Sequence, residues 1–562
     1  MLRAWFACLL CFGLVSLGAG VPVQTPKGMV VCQNRLAAEI GAKVLQDGGS
    51  AVDAAVATAF ALAVVHPIAG NIGGGGFLVA RDGNGKAMSY DFREMAPKGA
   101  SPKMFLEDGG YSDKLHHESH LSVGVPGTVA GLHLAWKERG KLPWSRLVAP
   151  AIRLADEGFP VSETLSASLK KFLPEFLNYP ATVAAFTKNG SPFEAGDLLR
   201  QPDLARSLRR ISAQGPAGFY RGETARLLLA EIKRGGGIIK ASDLRAYRAK
   251  RRRPAQGRYR GFDIIAMPPP SSGGIALIEM LNVLEGYDLG GMGAGSPETA
   301  HLVAESMRRA FRDRALYLGD PDFNTAIPVG RLLSKSYAAE LRKGIAPDRA
   351  TASSLMGFQP NEYNREHEQT THISVVDASR NAVGLTYTLE DNYGSKILVP
   401  GAGFLLNNEM GDFNAQPGLT DATGKIGTQP NLARPLQRPL SSMCPAILAR
   451  DGKLSMVTGS PGGRTIISTV LESVLNVVDF GMDAQAAVDA PRFHHQWLPD
   501  RIQIEPEAVY QKGFLEALKA KGHVLSLREG RQGAAQVIVL IDGVLSGGAD
   551  STRWADSAAV AQ

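Results

Sequence analysis

Apolar and polar positions divide the N-terminal part of the chain into a short strand and two helices. Residues 28–31 predict the strand. Residues 36–47 have helical spacing of apolar positions and end at Gly48 and Gly49, a typical stop signal. Residues 51–65 are almost all alanine and aliphatic residues, so this helix is expected to be buried on most of its faces.

Further along, the pattern passes from a glycine-rich loop to a mostly helical middle. The segment GNIGGGGFLVA, residues 70–80, precedes a strand, and its spacing fits neither the dinucleotide-binding fingerprint nor the phosphate-binding P-loop. We expect close backbone packing there, or a loop that faces a substrate. Residues 125–345 are mostly helical in pattern, and residues 298–318 predict one long helix.

The character of the chain changes after residue 345. Residues 346–369 are polar and lack periodicity, which predicts an exposed linker in which a processing site would be accessible. Residues 373–377 and 382–388 have strand patterns, and residues 378–381 predict the turn between them. The linker is therefore expected to lead into a β-hairpin.

The register of this hairpin would bring two threonines together. If Val376 pairs with Ala382, Thr370 lies opposite Thr388. A threonine that becomes a new N-terminus has an α-amine with a pKa of about 8 close to its hydroxyl, and that amine can accept the hydroxyl proton. Thr388 could then orient the hydroxyl by a hydrogen bond. From the pattern alone, ordinary strand threonines remain the more common case.

The start of the chain predicts export. Arg3 precedes an apolar run over residues 4–17 and small residues at 18–20, a combination typical of a secretory signal peptide. We therefore predict a signal peptide over residues 1–20 and a periplasmic or secreted protein; an N-terminal anchor that is never removed is the alternative. No later segment has 18 uninterrupted apolar residues, so no stable membrane span is expected.

Composition and charge add little to this picture. The 562 residues are 44% apolar and 20% charged, as in ordinary soluble proteins. The net charge is +7, but residues 245–260 alone carry eight cations, so the rest of the chain is nearly balanced. We interpret this stretch as a solvated surface loop or helix end; a patch for polyanions or a membrane surface is the alternative. Cys32 and Cys444 could pair in an oxidising compartment.

Several fragments together resemble one enzyme family. The segment QTTHISVVD (369–377) resembles the processing site of the γ-glutamyltranspeptidases, also called glutathione hydrolases. Further fragments in the order of that family are DFREMAP (91–97), VPGTVAG (125–131), MPPPSSGG (267–274), YLGDPDF (317–323), LLNNEM (405–410), RPLSSM (438–443) and GSPGG (459–463). Each fragment alone is weak, but together they span nearly the whole chain after the signal and are highly specific.

The resemblance implies both a fold and a maturation step. The implied fold is α+β, the αββα four-layer sandwich of N-terminal-nucleophile (Ntn) hydrolases. The precursor is expected to cut itself between Gln369 and Thr370, giving a large subunit of residues 21–369 and a small subunit of residues 370–562 that form a heterodimer. The implied substrates are γ-glutamyl donors such as glutathione, with water, amino acids or dipeptides as acceptors. No metal, organic cofactor or nucleic acid is expected.

The resemblance also assigns the residues of the reaction. Thr370 resembles the nucleophile that carries the γ-glutamyl ester, and Thr388 resembles the threonine that positions it. Gly462 and Gly463 resemble the oxyanion-hole pair. Two consecutive N–H groups in a glycine turn can point at one developing oxyanion, which is the physical reason for that pairing.

A second set of residues is implied in binding the donor. Arg93 resembles the guanidinium that holds the donor's α-carboxylate, and a planar fork suits a carboxylate. Ser441 and Ser442 resemble hydroxyl donors to the same carboxylate. Asp412, with Glu409 beside it, resembles the carboxylate that binds the α-ammonium. A donor clamped at both groups can present only its side-chain amide to the nucleophile.

This sequence departs from the family pattern at the rim of the donor pocket. Glu390, expected among the substrate-binding residues, stands where the best-known members have asparagine. Thr423 stands where the tyrosine of a lid, here residues 417–428, would meet that asparagine. Gly411 replaces the first aspartate of the usual pair. We hypothesise that the lid closes less firmly and admits water or longer acceptors more easily.

Other functions remain open at this stage. An acylase of the same fold that acts on glutaryl amides is the nearest alternative, although Asp412 argues against it because a glutaryl group has no α-amine. A non-catalytic paralogue that binds γ-glutamyl compounds or another protein is a second. His116, His117 and His120 could bind a metal, but they look like loop residues and lack the spacing of helical ligands.

Overall fold

Two seven-stranded antiparallel sheets form the centre of the molecule. The computed structural model describes residues 20–356, 369–418, 420–421 and 426–562. The strands of the two sheets are β1 (Val23–Thr25), β2 (Met29–Cys32), β3 (Gly75–Arg81), β4 (Ala87–Phe92), β5 (Lys250–Arg252), β6 (Ala255–Tyr259), β7 (Phe262–Ala266), β8 (Thr371–Val376), β9 (Ala382–Thr388), β10 (Ala446–Arg450), β11 (Lys453–Gly459), β12 (Gln536–Ile541), β13 (Val544–Ala549) and β14 (Ala558–Ala561).

The order of the strands interleaves the two ends of the chain. The first sheet has the order β1-β13-β12-β11-β10-β7-β6, and the second has the order β5-β4-β3-β9-β8-β2-β14. Each sheet contains strands from both sides of residue 370, so neither sheet could form from one predicted subunit alone. Shorter strands lie outside these sheets: Leu106–Glu107, Gly110–Tyr111, Phe159–Pro160, Thr187–Lys188, Ser191–Pro192, Leu198–Leu199, Phe493–His494, Ile502–Ile504 and Leu525–Leu527.

Helices cover the outer face of each sheet, and further helices pack around them. The helices are α1 (Arg35–Gln46), α2 (Ala51–Val65), α3 (Asp113–His117), α4 (Thr128–Arg139), α5 (Trp144–Glu157), α6 (Glu163–Phe176), α7 (Pro180–Phe186), α8 (Pro202–Gln214), α9 (Ala217–Tyr220), α10 (Gly222–Arg234), α11 (Ala241–Ala246), α12 (Gly273–Leu284), α13 (Leu289–Met292), α14 (Pro297–Tyr317), α15 (Val329–Leu332), α16 (Lys335–Lys343), α17 (Ile466–Val478), α18 (Ala484–Asp489) and α19 (Phe514–Ala520).

The alternation of side chains along the strands divides the interior into separate cores. Val30 and Cys32 of β2 pack with α1, α2, α4 and α5 on one face of the second sheet. Met29 and Val31 point to the opposite face and pack with the first sheet, α12, α14 and α17. Ser374 of β8 donates a hydrogen bond of 2.9 Å across to the carbonyl of Gln536 in β12. The layers therefore run helix, sheet, sheet, helix, which confirms the predicted αββα fold.

The helix and strand predictions are confirmed where apolar patterns are strong. Helix α2 spans the predicted residues, every side chain in it is buried, and Ser50 and Asp53 cap its N-terminus. The glycine-rich loop packs closely against other backbone, as expected: a Cβ on Gly74 would lie 1.9 Å from the carbonyl oxygen of Thr388. Val376 pairs with Ala382, which is the predicted hairpin register.

Some sequence interpretations are wrong. His116 and His117 end helix α3, which Ser112 caps, and His120 begins the 3-10 turn His120–Ser122, so they are not loop residues. Cys32 and Cys444 are both buried free thiols in different cores, so they do not pair.

The arginine-rich stretch is only partly the predicted loop or helix end. Arg245 lies in the last turn of helix α11, but the stretch continues into strands β5 and β6. Arg252 pairs with Asp91 and Asp322, while Arg260 pairs with Asp479. Because these two cations already have carboxylate partners, they offer little free charge to a polyanion.

Export predicts a signal peptide at the start of the chain and no membrane-spanning helix after it. The predicted signal peptide lies outside the described residues except for Gly20. Within the described part of the chain, every helix is too short or too polar to cross a membrane.

Candidate active site

Thr370 lies immediately before strand β8 and lines a pocket in which both sides of the predicted cleavage point take part. Its side chain is 3% exposed, and its Oγ1 lies 3.4 Å from Oγ1 of Thr388. The Thr370 hydroxyl donates a 2.5 Å hydrogen bond to the carbonyl of Gln369, and Thr388 donates a 2.8 Å hydrogen bond to the same carbonyl. Two hydroxyls therefore converge on the peptide bond that the sequence predicts to be cut.

The hydroxyl of Thr388 is held in this orientation by the backbone. The N–H of Glu390 donates to Thr388 Oγ1 at 2.8 Å, which leaves the hydroxyl proton to point at Gln369. Glu390 itself has a φ of +85°, in the left-handed region that non-glycine residues rarely adopt. Strain of this kind persists where the surrounding structure enforces it, often at functional sites.

The predicted oxyanion pair forms a tight turn beside the pocket. Gly462 has a φ of +132° and Gly463 a φ of +53°, and the turn is fixed by a 2.7 Å hydrogen bond from Thr465 Oγ1 to the Gly462 carbonyl. A Cβ on Gly462 would lie 2.6 Å from Thr465 Oγ1, so this position requires glycine. Gly463 lines the pocket. The oxyanion role of the pair stays a prediction.

Arg93 lies at the centre of a buried cluster of carboxylates. Its guanidinium forms ion pairs with Glu409 and Asp412 and lies 3.6 Å from Glu94. The Arg93, Glu94 and Glu409 side chains are buried, whereas Asp412 is 38% exposed and faces the pocket. The structure therefore brings together the residues predicted to hold the donor's α-carboxylate and α-ammonium.

Burial changes the protonation of this cluster. Burial raises the pKa of Glu94 to about 7, although Arg93 opposes the shift. Burial also raises the pKa of Glu409 well above its usual range, and the neighbouring carboxylates add to the effect. Burial alone would lower the pKa of Arg93, but the carboxylates of Glu409, Asp412 and Glu94 outweigh it and raise that pKa.

The two serines predicted to bind a carboxylate also line the pocket. A loop from the MPPPSSGG segment holds them: the N–H and the hydroxyl of Ser272 donate to the carbonyl of Ser441 at 2.7 and 2.6 Å. The N–H of Met443 donates to Ser441 Oγ at 3.1 Å. Arg314 donates to Ser442 Oγ at 3.0 Å.

The structure adds pocket residues that the sequence predictions missed. Arg314 in the last turn of α14 lines the pocket, and its position three residues before the YLGDPDF segment is the signal that could have revealed it. His116 and His117, two of the three histidines considered for metal binding, also line the pocket, and His117 Nδ1 lies 3.9 Å from Glu390 Oε1. Its neighbours His116 and His120 contact the Met410 carbonyl and Glu231 respectively.

Of the three departures predicted at the pocket rim, the structure describes two. Thr423 lies outside the described residues. Glu390 and Gly411 line the pocket, and a Cβ on Gly411 would lie 2.4 Å from His117 Nδ1. The small residue at 411 is therefore what leaves room for the histidine ring.

A different group of side chains has the spacing of metal ligands. Ligand atoms of His301, Glu305 and His523 lie within 4.8 Å of one another in a buried position away from the pocket. Both Glu305 oxygens, however, already accept hydrogen bonds from Arg308, Arg309 and Thr351. Two adjacent guanidinium groups oppose a divalent cation, so this donor set does not fit a metal well.

Known proteins are similar to this chain over most of its length. The family model described as Gamma-glutamyltranspeptidase matches residues 37–560. The glutathione hydrolase proenzyme of Escherichia coli K12 is 45% identical over 538 residues, which cover 94% of this chain and 91% of that protein. A glutathione hydrolase proenzyme of Pseudomonas sp. strain A14 is 44% identical over 514 residues, 90% of this chain and 88% of that protein.

Two solved structures are also similar to this chain. A cephalosporin acylase from Bacillus halodurans matches with a TM-score of 0.84 and 28% identity over 98% of this chain and 99% of its own. The γ-glutamyltranspeptidase of Helicobacter pylori matches with a TM-score of 0.57 and 43% identity over 63% of this chain and 100% of that chain.

Proposed function

The chain belongs to the gamma-glutamyltranspeptidase family, and from this premise we propose that it is a self-processing γ-glutamyl hydrolase and transferase with Thr370 as its nucleophile. Its relatives at 43–45% identity are named glutathione hydrolase proenzymes, which supports γ-glutamyl chemistry and maturation from a precursor. The observation that carries the proposal is the convergence of the Thr370 and Thr388 hydroxyls on the Gln369 carbonyl.

In the proposed maturation step, Thr370 acts on its own peptide bond. Its Oγ attacks the carbonyl carbon of Gln369, the C–N bond breaks, and the hydroxyl proton passes to the departing nitrogen. The acyl group is thereby transferred from nitrogen to oxygen as an ester. Thr388 donates a hydrogen bond to the carbonyl oxygen that becomes negative during the attack. Water then hydrolyses the ester, which leaves a carboxylate on Gln369 and a free α-amine on Thr370.

In the proposed catalytic cycle, that new α-amine is the base. It accepts the Thr370 hydroxyl proton while Oγ attacks the γ-carbonyl carbon of the donor. The N–H groups of Gly462 and Gly463 stabilise the oxyanion, and the leaving amine departs with a proton. The γ-glutamyl ester on Thr370 then passes its acyl group to water or to the amine of an acceptor.

Selectivity for γ-glutamyl groups comes from the charged residues around the pocket. The donor carries an α-ammonium and an α-carboxylate next to each other, and the pocket offers the carboxylates of Asp412, Glu409 and Glu390 together with the guanidinium of Arg93 and the hydroxyls of Ser441 and Ser442. Glutathione is the proposed donor, and amino acids or dipeptides are the proposed acceptors. We keep the hypothesis that the changed rim at Glu390 and Thr423 admits longer donors, which a comparison of glutathione with polymeric γ-glutamate would test.

The proposed mature protein is an exported heterodimer of residues 21–369 and 370–562. The Helicobacter pylori chain supports this division, because it aligns over its whole length with 63% of this chain, about the share that the large subunit would have. The mixed composition of each sheet supports tight association of the two subunits after cleavage.

A glutaryl acylase is the second candidate, favoured by the likeness to the cephalosporin acylase over nearly the whole chain. A paired-substrate assay separates the two, because γ-glutamyl-p-nitroanilide and glutaryl-p-nitroanilide differ only in the α-amine. The pocket carboxylates Asp412 and Glu409 predict faster release from the γ-glutamyl compound. Preference for the glutaryl compound would support the acylase instead.

The first test of the proposal is an intact-mass spectrum of the purified protein after incubation at neutral pH. We expect two fragments, the smaller one beginning at Thr370. Thr370→Ala should stay one chain, because it lacks the attacking oxygen. Thr371→Val is the matched control, since the adjacent Thr371 hydroxyl has no hydrogen-bond partner in the structure, and it should still be cut.

Two other outcomes would count against the proposal. A wild-type chain that stays whole would favour the non-catalytic paralogue. Cleavage of Thr370→Ala at the same bond would mean that another group, or a contaminating protease, performs the cut.

A further inference from the structure

Arg314 lies in the last turn of α14 at the edge of the pocket, next to the serine pair. Its Nε donates to Ser272 Oγ at 2.9 Å, and its Nη2 donates to Ser442 Oγ at 3.0 Å. Ser272 in turn donates to the carbonyl of Ser441 at 2.6 Å. One guanidinium from the proposed large subunit is thus connected to both serines of the proposed small subunit.

The direction of these hydrogen bonds decides where the serine protons point. A hydroxyl has one proton and accepts through its oxygen. Ser442 Oγ accepts from Arg314, and Ser441 Oγ accepts from the N–H of Met443 at 3.1 Å. Because each oxygen already accepts from an N–H group, each O–H remains available to donate into the pocket. Two hydroxyl donors side by side suit the two oxygens of a carboxylate.

The charge of Arg314 is also available. Within the described part of the chain, its hydrogen bonds go to serine hydroxyls and it forms no ion pair with a carboxylate. Burial, reinforced by the nearby charges of Arg464 and Arg93 and opposed by Asp412, lowers the pKa of Arg314 to about 9. A buried cation with no carboxylate in direct contact is unfavourable, and an anionic ligand would relieve it.

Arg93 is in the opposite situation. It contacts Glu409, Asp412 and, at 3.6 Å, Glu94, so carboxylates of the protein already surround its charge. Its Nε donates to the Pro439 carbonyl at 3.2 Å. A donor carboxylate that met Arg93 alone would meet these acids as well, and a second cation on the serine side would offset their repulsion.

Resting on the proposed γ-glutamyl function, we propose that Arg314 is a donor-binding residue that supplies positive charge to the donor's α-carboxylate. Arg314 also holds Ser442, and through Ser272 it holds Ser441, so that both hydroxyl protons point at that carboxylate. Arg314 therefore contributes to binding the donor's α-carboxylate and not its α-ammonium. The proposal is specific to this chemical group, so its test compares ligands with and without that group.

The test compares steady-state hydrolysis of γ-glutamyl-p-nitroanilide and 4-aminobutyryl-p-nitroanilide, which is the same donor without the α-carboxylate. Arg314→Met should raise KM for the first donor by about 10- to 100-fold, the loss expected for a hydrogen bond to a charged group. The second donor should be unaffected. Arg314→Lys keeps the charge but not the fork, so its KM should lie between those of wild type and Arg314→Met. Arg312→Met, two residues away on the same helix, is the matched control and should match wild type.

Binding gives a second readout that does not depend on turnover. Calorimetry should show that Arg314→Met weakens binding of L-glutamate but not of 4-aminobutyrate. Equal loss for both ligands, or for both p-nitroanilides, would assign Arg314 a purely structural role and overturn the inference. If Arg314→Met fails to mature, Arg314→Gln and Arg314→Lys provide the same comparison.

Loss of the γ-glutamyl activity and loss of the Arg314 role would give different results. A wild-type protein that hydrolyses no γ-glutamyl compound and binds no L-glutamate contradicts the proposed function. An active wild type in which Arg314→Met affects both members of each pair equally contradicts only the role of Arg314.

Discussion

Single residues shape the wall of the pocket beside Glu390. His117 reaches this wall because position 411 has no side chain: a Cβ there would lie 2.4 Å from His117 Nδ1 and 2.7 Å from its Cε1. Such contacts force one group to move. The glycine that departs from the family's usual aspartate and the histidine of α3 therefore form one feature, a small residue on one proposed subunit and a ring on the other.

We expect Gly411→Asp to push the His117 ring out of its place and to disturb the donor pocket. Overpacking of about 1–2 kcal/mol corresponds to a rise in KM for γ-glutamyl-p-nitroanilide of roughly 5- to 30-fold. His117→Ala in the same chain should restore most of the loss, because it removes the ring that collides. Steady-state kinetics of the two single variants and the double variant measures this coupling.

The double variant decides the interpretation. If it is as impaired as Gly411→Asp alone, the added carboxylate acts through its charge beside Glu390 and not through the ring. Loss of maturation in Gly411→Asp, seen by mass spectrometry, would instead show that the wall matters before the donor binds.

At the scale of elements, helix α14 joins the pocket to the end of the proposed large subunit. Arg314 contacts the pocket residue Ser442 at one end. Two turns earlier, Glu305 binds Arg308 and Arg309 and accepts two hydrogen bonds from Thr351, in the chain segment that leads to the cleavage point. Burial would raise the pKa of Glu305, but the arginines and Thr351 outweigh it and lower that pKa to about 2. Glu305 therefore stays charged and holds this segment against the helix.

Glu305→Gln should destabilise the protein strongly. Arg309 is 4% exposed, and Glu305 is its ion-pair partner in the structure. Removing one member of a buried ion pair costs about 3–5 kcal/mol, because it leaves the other charge uncompensated. Differential scanning fluorimetry should show a clear fall in Tm. Glu298→Gln, an exposed position in the first turn of the same helix, should change Tm little; equal shifts for both variants would contradict the assigned role of Glu305.

For the whole molecule, the sequence predicts most where local pattern and final packing agree. Helix α2 is apolar on all faces and is buried on all faces. The hairpin register follows from a short turn, so the sequence alone predicts the approach of Thr370 to Thr388. The αββα arrangement and the site residues, by contrast, were expected because of a family resemblance and not because of periodicity.

What the sequence could not supply are the contacts between distant segments. Arg314 and Ser442 are 128 residues apart, and nothing local in either segment indicates that they meet. The ion pairs of the arginine-rich stretch depend on acids such as Asp91 and Asp479 elsewhere in the fold. The sequence does not predict the short helix α3, because its five residues, DKLHH, include a single apolar side chain and therefore show no apolar periodicity.

The contact between His301 and His523 ties the proposed subunits together and gives the molecule a pH dependence. Their rings are joined by a 2.8 Å hydrogen bond between Nδ1 and Nε2, and His301 Nε2 lies 2.7 Å from the Ala346 carbonyl. Burial, together with His301 and Arg308, lowers the pKa of His523 to about 4, although Glu305 and Asp500 oppose the shift. The folded state thus keeps His523 neutral at pH values where the unfolded chain would protonate it.

The sign of the effect follows from proton binding. Between about pH 6.5, the ordinary pKa of histidine, and pH 4, the unfolded state binds a proton at this position and the folded state does not, so stability falls as the pH falls through that window. His523→Gln removes the side chain that binds this proton.

We therefore expect the Tm of the wild type to fall more steeply than that of His523→Gln between pH 7 and pH 4, while the difference between the two Tm values stays constant above pH 7. Raised pKa values such as that of Glu94 act in the opposite direction but equally in both proteins, so they cancel in the comparison. Parallel Tm curves over the whole range would show that His523 binds a proton as readily in the folded protein as in the unfolded chain. Acid would then not weaken the contact between the proposed subunits at His301 and His523.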